Sequence, residues 1–349
     1  MTPQTVVWAG EALVRHRASG NHPNAIDRQS AFWDEACRQG LNERFAVGAP
    51  RLATREELLR FHDIAHINWV ELCSRHGTGH VDDEDTPAYP GVYEAAATRV
   101  GTALEALAQI MTGHCARSFQ PAGGMHHGRR HRGAGFCPFN DIGVVIETLR
   151  AQYGVRRIAY VDIDAHHGDG VFYSYADDPD VIIVDIHQDG RTLYPGTGHA
   201  EETGTGVAAG TKLNLPLAAG ATDSDFALAW DRAQAHLDRF APEFVIFQCG
   251  ADSLAGDPLA DLRLSCAAHA QAARTLVALA ERHAHGRLMV FGGGGYDETN
   301  IAAAWTAVVR ELVEAATDAL SLSTALPTPV PPFGGPPHMQ KERIDLGAP

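Results

Sequence analysis

Ten residues, Val161-Asp162-Ile163-Asp164-Ala165-His166-His167-Gly168-Asp169-Gly170, gather three carboxylates and two imidazoles directly behind the apolar run Ile158–Val161. Alternate side chains of a strand share a face, so an extended chain here would project Asp162, Asp164 and His166 together. Buried charges without partners are strongly destabilising, and such a cluster calls for a compensating cation. A hard-to-borderline divalent ion such as Zn2+ accepts carboxylate oxygen and imidazole nitrogen together. A solvated polar loop is the alternative, and the alternation closed by Gly168-Asp169-Gly170 argues against it.

Three further clusters extend this into a site. In Gly123-Gly124-Met125-His126-His127-Gly128, small residues suit a tight backbone that carries two imidazoles into a cavity. Taken alone, the pair reads equally well as two loop histidines in solvent. In Phe247-Gln248-Cys249-Gly250-Ala251-Asp252-Ser253 an apolar run ends in small residues and one carboxylate. Asp252 alone would be a helix N-cap; with Asp164 and His166 it completes an open metal site with room for water and substrate. Finally, Phe291-Gly292-Gly293-Gly294-Gly295-Tyr296 has neither the Gly-x-Gly-x-x-Gly spacing nor the lysine of a phosphate loop. Glycines that let backbone approach a ligand, followed by Tyr296, suit a phenol delivered to a reacting atom.

The elements that must position these groups follow from periodicity. Residues 1–50 read as irregular with one helix near Gln29 to Gln39, and a second helix starts at the N-cap Thr54 and runs to about Ser74. An acidic loop spans Asp82 to Tyr89, and an Ala-rich buried helix spans Tyr93 to Met111. From Arg156 onward, the short apolar runs Ile158–Val161, Val181–Val184, Phe244–Phe247 and Leu288–Phe291 are separated by stretches that include the amphipathic Asp223–Phe240 and Ala267–His283. This predicts a single-domain α/β fold, its mostly parallel sheet covered by helices on both faces. A last helix covers Ile301 to Ala319, so residues 1–320 form the expected catalytic domain and the proline-rich residues 321–349 a tail. The chemistry-bearing clusters all follow apolar runs, where ligand sites of open α/β sheets collect.

Composition excludes several classes. The 349 residues, 45% hydrophobic, suffice for one large core. No apolar run approaches the roughly 20 residues that span a bilayer, and the opening residues lack a secretory pattern. Six cysteines without a Cys-x-x-Cys pair argue against zinc ribbons and disulfide frameworks, which points to the cytoplasm. A net charge of −15 argues against a nucleic-acid partner. The basic run Arg129-Arg130-His131-Arg132 reads as a solvated loop rather than a phosphate site, and Lys212 and Lys341 are the only lysines.

In this order the four clusters resemble the zinc-dependent histone deacetylase family of the arginase–deacetylase superfamily, which includes acetoin-utilisation proteins and acetylpolyamine amidohydrolases. The similarity runs from about Asn21 to Thr317 and includes Gly135-Phe136-Cys137-Pro138-Phe139-Asn140-Asp141, Tyr194-Pro195-Gly196-Thr197-Gly198 and Ala255-Gly256-Asp257-Pro258. The resemblance implies the arginase/deacetylase fold, with Asp164, His166 and Asp252 holding Zn2+, or Fe2+ in the cell. It implies His127 as general base and acid, His126 as its electrostatic neighbour, Asp162 and Asp169 as the carboxylates orienting them, and Tyr296 as oxyanion donor. A structural potassium ion is implied at Asp162, Asp164, His166, Asp185 and Ile186, with Asp185 where many relatives carry Ser. A second monovalent ion is implied on the carbonyls of Tyr175, Asp178, Val181 and Thr211.

The same resemblance implies a substrate tunnel at Gly135, Phe136 and Tyr194, a rim carboxylate at Asp85, and an acetate channel at Arg28. Pro138 and Met125 depart from many relatives, and Leu259 stands where a polyamine-selective relative carries glutamate. The implied activity is hydrolysis of an N-acetyl amide on lysine side chains of peptides or proteins. Alternatives are a small N-acyl-amine or acetylpolyamine amidohydrolase and a catalytically weak acyl-lysine-binding protein. An arginase-type ureohydrolase needs more Asp and His ligands than this chain offers. Self-association is left open.

Overall fold

The computed structural model describes residues 4–15, 20, 22–82 and 85–323. Eight strands are present among them: β1 Thr5–Trp8, β2 Ala46–Gly48, β3 Arg117–Gln120, β4 Ile158–Asp162, β5 Val181–Gln188, β6 Lys212–Leu217, β7 Phe244–Gln248 and β8 Leu288–Phe291. They form one sheet in the order β2-β1-β3-β8-β7-β4-β5-β6, and every pairing is parallel. The helices of the first half are α1 Glu11–Val14, α2 Arg28–Arg38, α3 Arg55–Leu58, α4 Ile64–His76 and α5 Val92–Met111. Those of the second half are α6 Asp141–Tyr153, α7 Asp169–Ser174, α8 Asp223–Phe240, α9 Cys266–His283 and α10 Glu298–Ser323.

A parallel strand covered on both faces must be apolar on both, and β4 shows how this is met. Ala159 and Val161 pack into the core beneath α2, α8, α9 and α10. Ile158 and Tyr160 pack into the opposite core with α4, α5 and α6. From β4 the chain moves outward to β5 and β6, then returns to lay β7 on the other flank of β4. The crevice at the carboxyl ends of β4 and β7 is thus the topological switch point, where open α/β sheets bind ligands.

The four predicted apolar runs are β4, β5, β7 and β8, and the amphipathic stretches are α8 and α9. Residues 1–50 are less irregular than expected, since β1 and β2 pair at one edge of the sheet. The predicted helix from Thr54 is two: Thr54 caps α3 with a capping box, but α3 stops at Leu58 and α4 begins at Ile64. The break turns His62 inward, where Nε2 accepts the Asn140 N–H at 2.9 Å. Helix α10 continues to Ser323, past the expected domain end at 320. The proline-rich residues that follow lie outside the described residues. No helix among the described residues is long and apolar enough to cross a membrane.

Candidate active site

Four neighbouring strands deliver the four clusters at their carboxyl ends. The His126-His127 loop follows β3, the glycine run and Tyr296 follow β8, Asp252 follows β7, and Asp164 and His166 follow β4. Strand β4 ends at Asp162, so Asp164 and His166 meet through a bend and not through strand alternation. The bend is fixed by its own carboxylates: Asp162 accepts the Asp164 N–H at 3.0 Å, Asp164 the His166 N–H at 3.0 Å, and Asp252 the Ala165 N–H at 2.9 Å.

His166 directs Nδ1 at Asp164 Oδ1 and Asp252 Oδ2, each 3.1 Å away. Candidate ligand atoms of the three buried residues lie within 4.8 Å of one another. Burial opposes the imidazolium charge, yet the two carboxylates outweigh it and lift His166 to about 10. Burial and the nearby Asp164 raise Asp252 to about 7. A triad this demanding of positive charge matches a divalent cation. Backbone must pass close beside both carboxylates, and glycine makes this possible: a Cβ at Gly250 would collide with Asp164, and one at Gly294 with Asp252. The Gly294 N–H then donates to Asp164 Oδ2 at 2.8 Å, beside the Gln248 amide at 2.7 Å.

The histidine pair is held from behind. His126 Nδ1 lies 2.7 Å from Asp162 Oδ2, and His127 Nδ1 lies 2.6 Å from Asp169 Oδ1. Their Nε2 atoms, 3.1 Å apart, face the same space. Burial opposes charge on His126, but Asp162 and Asp164 outweigh it and raise it to about 10. Burial and the neighbouring His126 push His127 down to about 4, against the pull of Asp169. The loop itself hangs on Asp141, which accepts the N–H groups of Gly124 and Met125 at 2.9 and 2.8 Å.

Two cavities meet at this site. An inner one touches Arg28, Met125, His126, Cys137, Asp164 and Gly294. An outer one touches Asp85, Leu193, Tyr194 and Leu259. Both are bordered by His127, Gly135, Phe136, His166 and Tyr296. Burial pushes the Tyr296 phenol well above its ordinary pKa, so it stays protonated, with Arg28 4.8 Å from its ring centre.

A sequence profile described as "Histone deacetylase domain" matches residues 22–312. The chain belongs to the histone deacetylase domain family. It is 37% identical over 275 residues to "Acetoin utilization protein AcuC" of Bacillus subtilis, covering 76% of this chain and 71% of the relative. It is 35% identical over 281 residues to "Histone deacetylase-like amidohydrolase" of Pseudomonas aeruginosa, covering 78% and 72%. Among solved structures, the HD domain of HDA15 superposes with a TM-score of 0.83 at 28% identity, covering 90% of this chain and 89% of that one. An HDAC homolog from Aquifex aeolicus superposes with a TM-score of 0.79 at 31% identity, covering 89% and 84%. Membership makes the chain a deacetylase-type amidohydrolase with an acetylated substrate.

The remaining residues expected from the resemblance are placed as follows. Asp185 on β5 is the register partner of Asp162 on β4, and Ile186 is buried beside it. The Asp185 carboxylate faces His187 Nδ1 at 2.6 Å and accepts the Gly168 N–H at 2.9 Å. Of the carbonyls expected at the second monovalent site, those of Asp178 and Val181 accept from Lys212 Nζ at 2.7 and 2.6 Å. The basic run is not simply a solvated loop either. Arg129 pairs with Asp169, and Arg130 pairs with Glu147 at 2.6 Å while lying over Phe61 and Tyr175.

Several contributors in this deacetylase were not given a role from sequence. Gln248 holds Asp164, and Asp141 holds the histidine loop. Asp257 accepts the N–H of Tyr296 at 2.8 Å and of Leu259 at 2.9 Å. His22 packs edge-on against Phe136, with Nε2 3.3 Å from the Asp85 carbonyl. Asp141 and Asp257 lay inside recognised motifs, and that was their only signal.

Proposed function

We propose that this deacetylase hydrolyses the N-acetyl amide of lysine side chains in peptides or proteins, using a Zn2+ or Fe2+ ion held by Asp164, His166 and Asp252. The observation that carries this reading is the meeting of the buried Asp–His–Asp triad, the histidine pair and Tyr296 where the two cavities join. A bound cation there would polarise the acyl carbonyl and acidify water. His127, neutral and oriented by Asp169, takes a proton from the attacking water and later gives it to the departing amine. His126, oriented by Asp162 and positively charged, stabilises the negative charge that develops on the carbonyl oxygen. The Tyr296 hydroxyl donates to that same oxygen. Water thus adds to carbon, the C–N bond breaks, and acetate and a protonated amine leave.

The substrate assignment rests on the outer cavity. Phe136 and Tyr194 offer aromatic walls to an aliphatic stem, with Gly135 close against the His127 ring, and Asp85 at the mouth accepts N–H groups of a peptide. Leu259 gives no counter-charge for a second ammonium, which favours acetyl-lysine over acetylpolyamine. Arg28 borders the inner cavity, suited to the departing acetate. A structural potassium ion near Asp162, Asp164, His166, Asp185 and Ile186 is supported by the two fully buried, register-paired carboxylates of Asp162 and Asp185. Six free cysteines support a reducing cytoplasm.

The test is kcat/KM on an acetyl-lysine peptide and on acetylspermidine, measured side by side on Zn2+-loaded protein with a chelator control. Chelator-sensitive preference for the peptide is expected. Preference for the polyamine would overturn the substrate assignment, and activity untouched by chelation would overturn the metal assignment. Turnover unchanged in His127→Ala would overturn the proposed base.

A further inference from the structure

Lys212 is the one lysine among the described residues, and it is buried at the start of edge strand β6. Its ammonium donates to three oxygens: the Asp178 carbonyl at 2.7 Å, the Val181 carbonyl at 2.6 Å and Thr211 Oγ1 at 2.7 Å. None of the three is a carboxylate. The Asp178 side chain turns instead to Arg150 and to the Asp180 N–H. A positive charge satisfied by neutral oxygens at one short distance is the environment in which proteins hold a desolvated potassium ion. Ammonium and potassium are close in size and charge, so one cage serves either.

The cage ties separate pieces of chain together. Val181 opens β5, Asp178 lies in the connection that precedes it, and Thr211 and Lys212 lead into β6. The Thr211 carbonyl also receives the Ile183 N–H at 3.2 Å and lies 3.3 Å from His236 Nε2 of α8. Burial lowers the ammonium only to about 8, so it carries its charge at neutral pH.

We propose that Lys212 is a tethered cation that replaces a bound monovalent ion, so that this corner of the sheet needs no inorganic ion, and that removing its ammonium exposes a potassium site. Thermal unfolding of the full chain and of Lys212→Ala, in choline chloride and in potassium chloride at equal ionic strength, tests this. The wild-type response to potassium is the baseline, since any ion held elsewhere contributes equally to both proteins. In choline the variant melts lower by about 5 °C or more, and ~100 mM potassium restores at least about half of the loss beyond that baseline. Rubidium bound at equilibrium, counted by atomic spectrometry, rises by one ion per chain in the variant. Identical potassium responses in the two proteins would overturn the proposal. So would a variant as stable as wild type in choline, or one that folds in neither salt. Lys212→Met fills the cage with a methyl group and gains no potassium rescue; rescue equal to that of Lys212→Ala would also count against the assignment.

Discussion

Tyr296 owes its position to a carboxylate that touches nothing in the proposed reaction. Asp257 uses one oxygen for the Tyr296 N–H and the other for the Leu259 N–H, coupling the phenol to the wall of the outer cavity. Asp257→Asn replaces one acceptor with a donor, so kcat should fall about tenfold, the rate equivalent of one such hydrogen bond. Tyr296→Phe removes the proposed oxyanion donor itself and should lower kcat by about 10²–10³ with KM little changed. Steady-state kinetics of both variants on the acetyl-lysine peptide check this order, and a larger loss in Asp257→Asn would contradict it. The meeting of Asp164, His166, Asp252, His126, His127 and Tyr296 was legible because the cluster that carries each of them follows an apolar run in recognisable company. Asp257 and Asp141 were not, because accepting a backbone N–H from a distant loop leaves no spacing in the sequence, and neither was Gln248, whose amide donates to a carboxylate far away in the chain. Lys212 was equally silent, since a buried ammonium and an exposed one are the same letter.

Among the elements, the helix caps divide into those that hold only structure and those that also hold the site. Thr54 closes a capping box on α3, at the surface. Asn140 caps α6 through the Gly143 N–H at 2.8 Å, and its amide also donates to the Gly128 carbonyl at 2.8 Å, directly behind the histidine pair. Thr54→Ala should therefore lose about 1 kcal/mol of stability with kcat unchanged. Asn140→Ala should lose about 2–3 kcal/mol, because two buried groups are left without partners, and should lower kcat as well. Denaturant midpoints with kcat on the same preparations separate the two cases. The elements read correctly were those whose apolar pattern was driven by burial on two faces, such as β4 and β7. Strand β3 was missed because Arg117 and Gln120 are polar yet buried, Arg117 reaching the Leu312 carbonyl at 3.0 Å and pairing with Glu281. Strand β6 was missed because Lys212, Asn214 and Pro216 alternate with leucines, and Pro216 is tolerated on a sheet edge.

For the whole molecule, burial decides reactivity as well as stability. Cys137 borders the inner cavity, yet burial pushes its thiol far up and keeps it protonated. Burial likewise raises Cys115 to about 11, whereas Cys37 is exposed. Iodoacetamide at neutral pH should label Cys37 first and leave Cys73, Cys115, Cys137 and Cys249 untouched until denaturant is added, as intact-mass and peptide mapping will show. Early labelling of Cys137 would mean that the inner cavity is wetter and more polar than its packing indicates.

Strand β8 is the last of the eight to be synthesised, yet it lies in the middle of the sheet, between β3 and β7. Until it inserts, the sheet is two ribbons: β2-β1-β3, bearing the histidine pair, and β7-β4-β5-β6, bearing Asp164, His166 and Asp252. Pairing between such distant segments is slow, because loop closure must precede the contacts that reward it. On the proposed reading, a chain that still lacks β8 would hold the histidine pair and the Asp–His–Asp triad on separate ribbons. Competence would then wait on the final strand, which pairs with β3 on one side and β7 on the other and so joins the two ribbons in register.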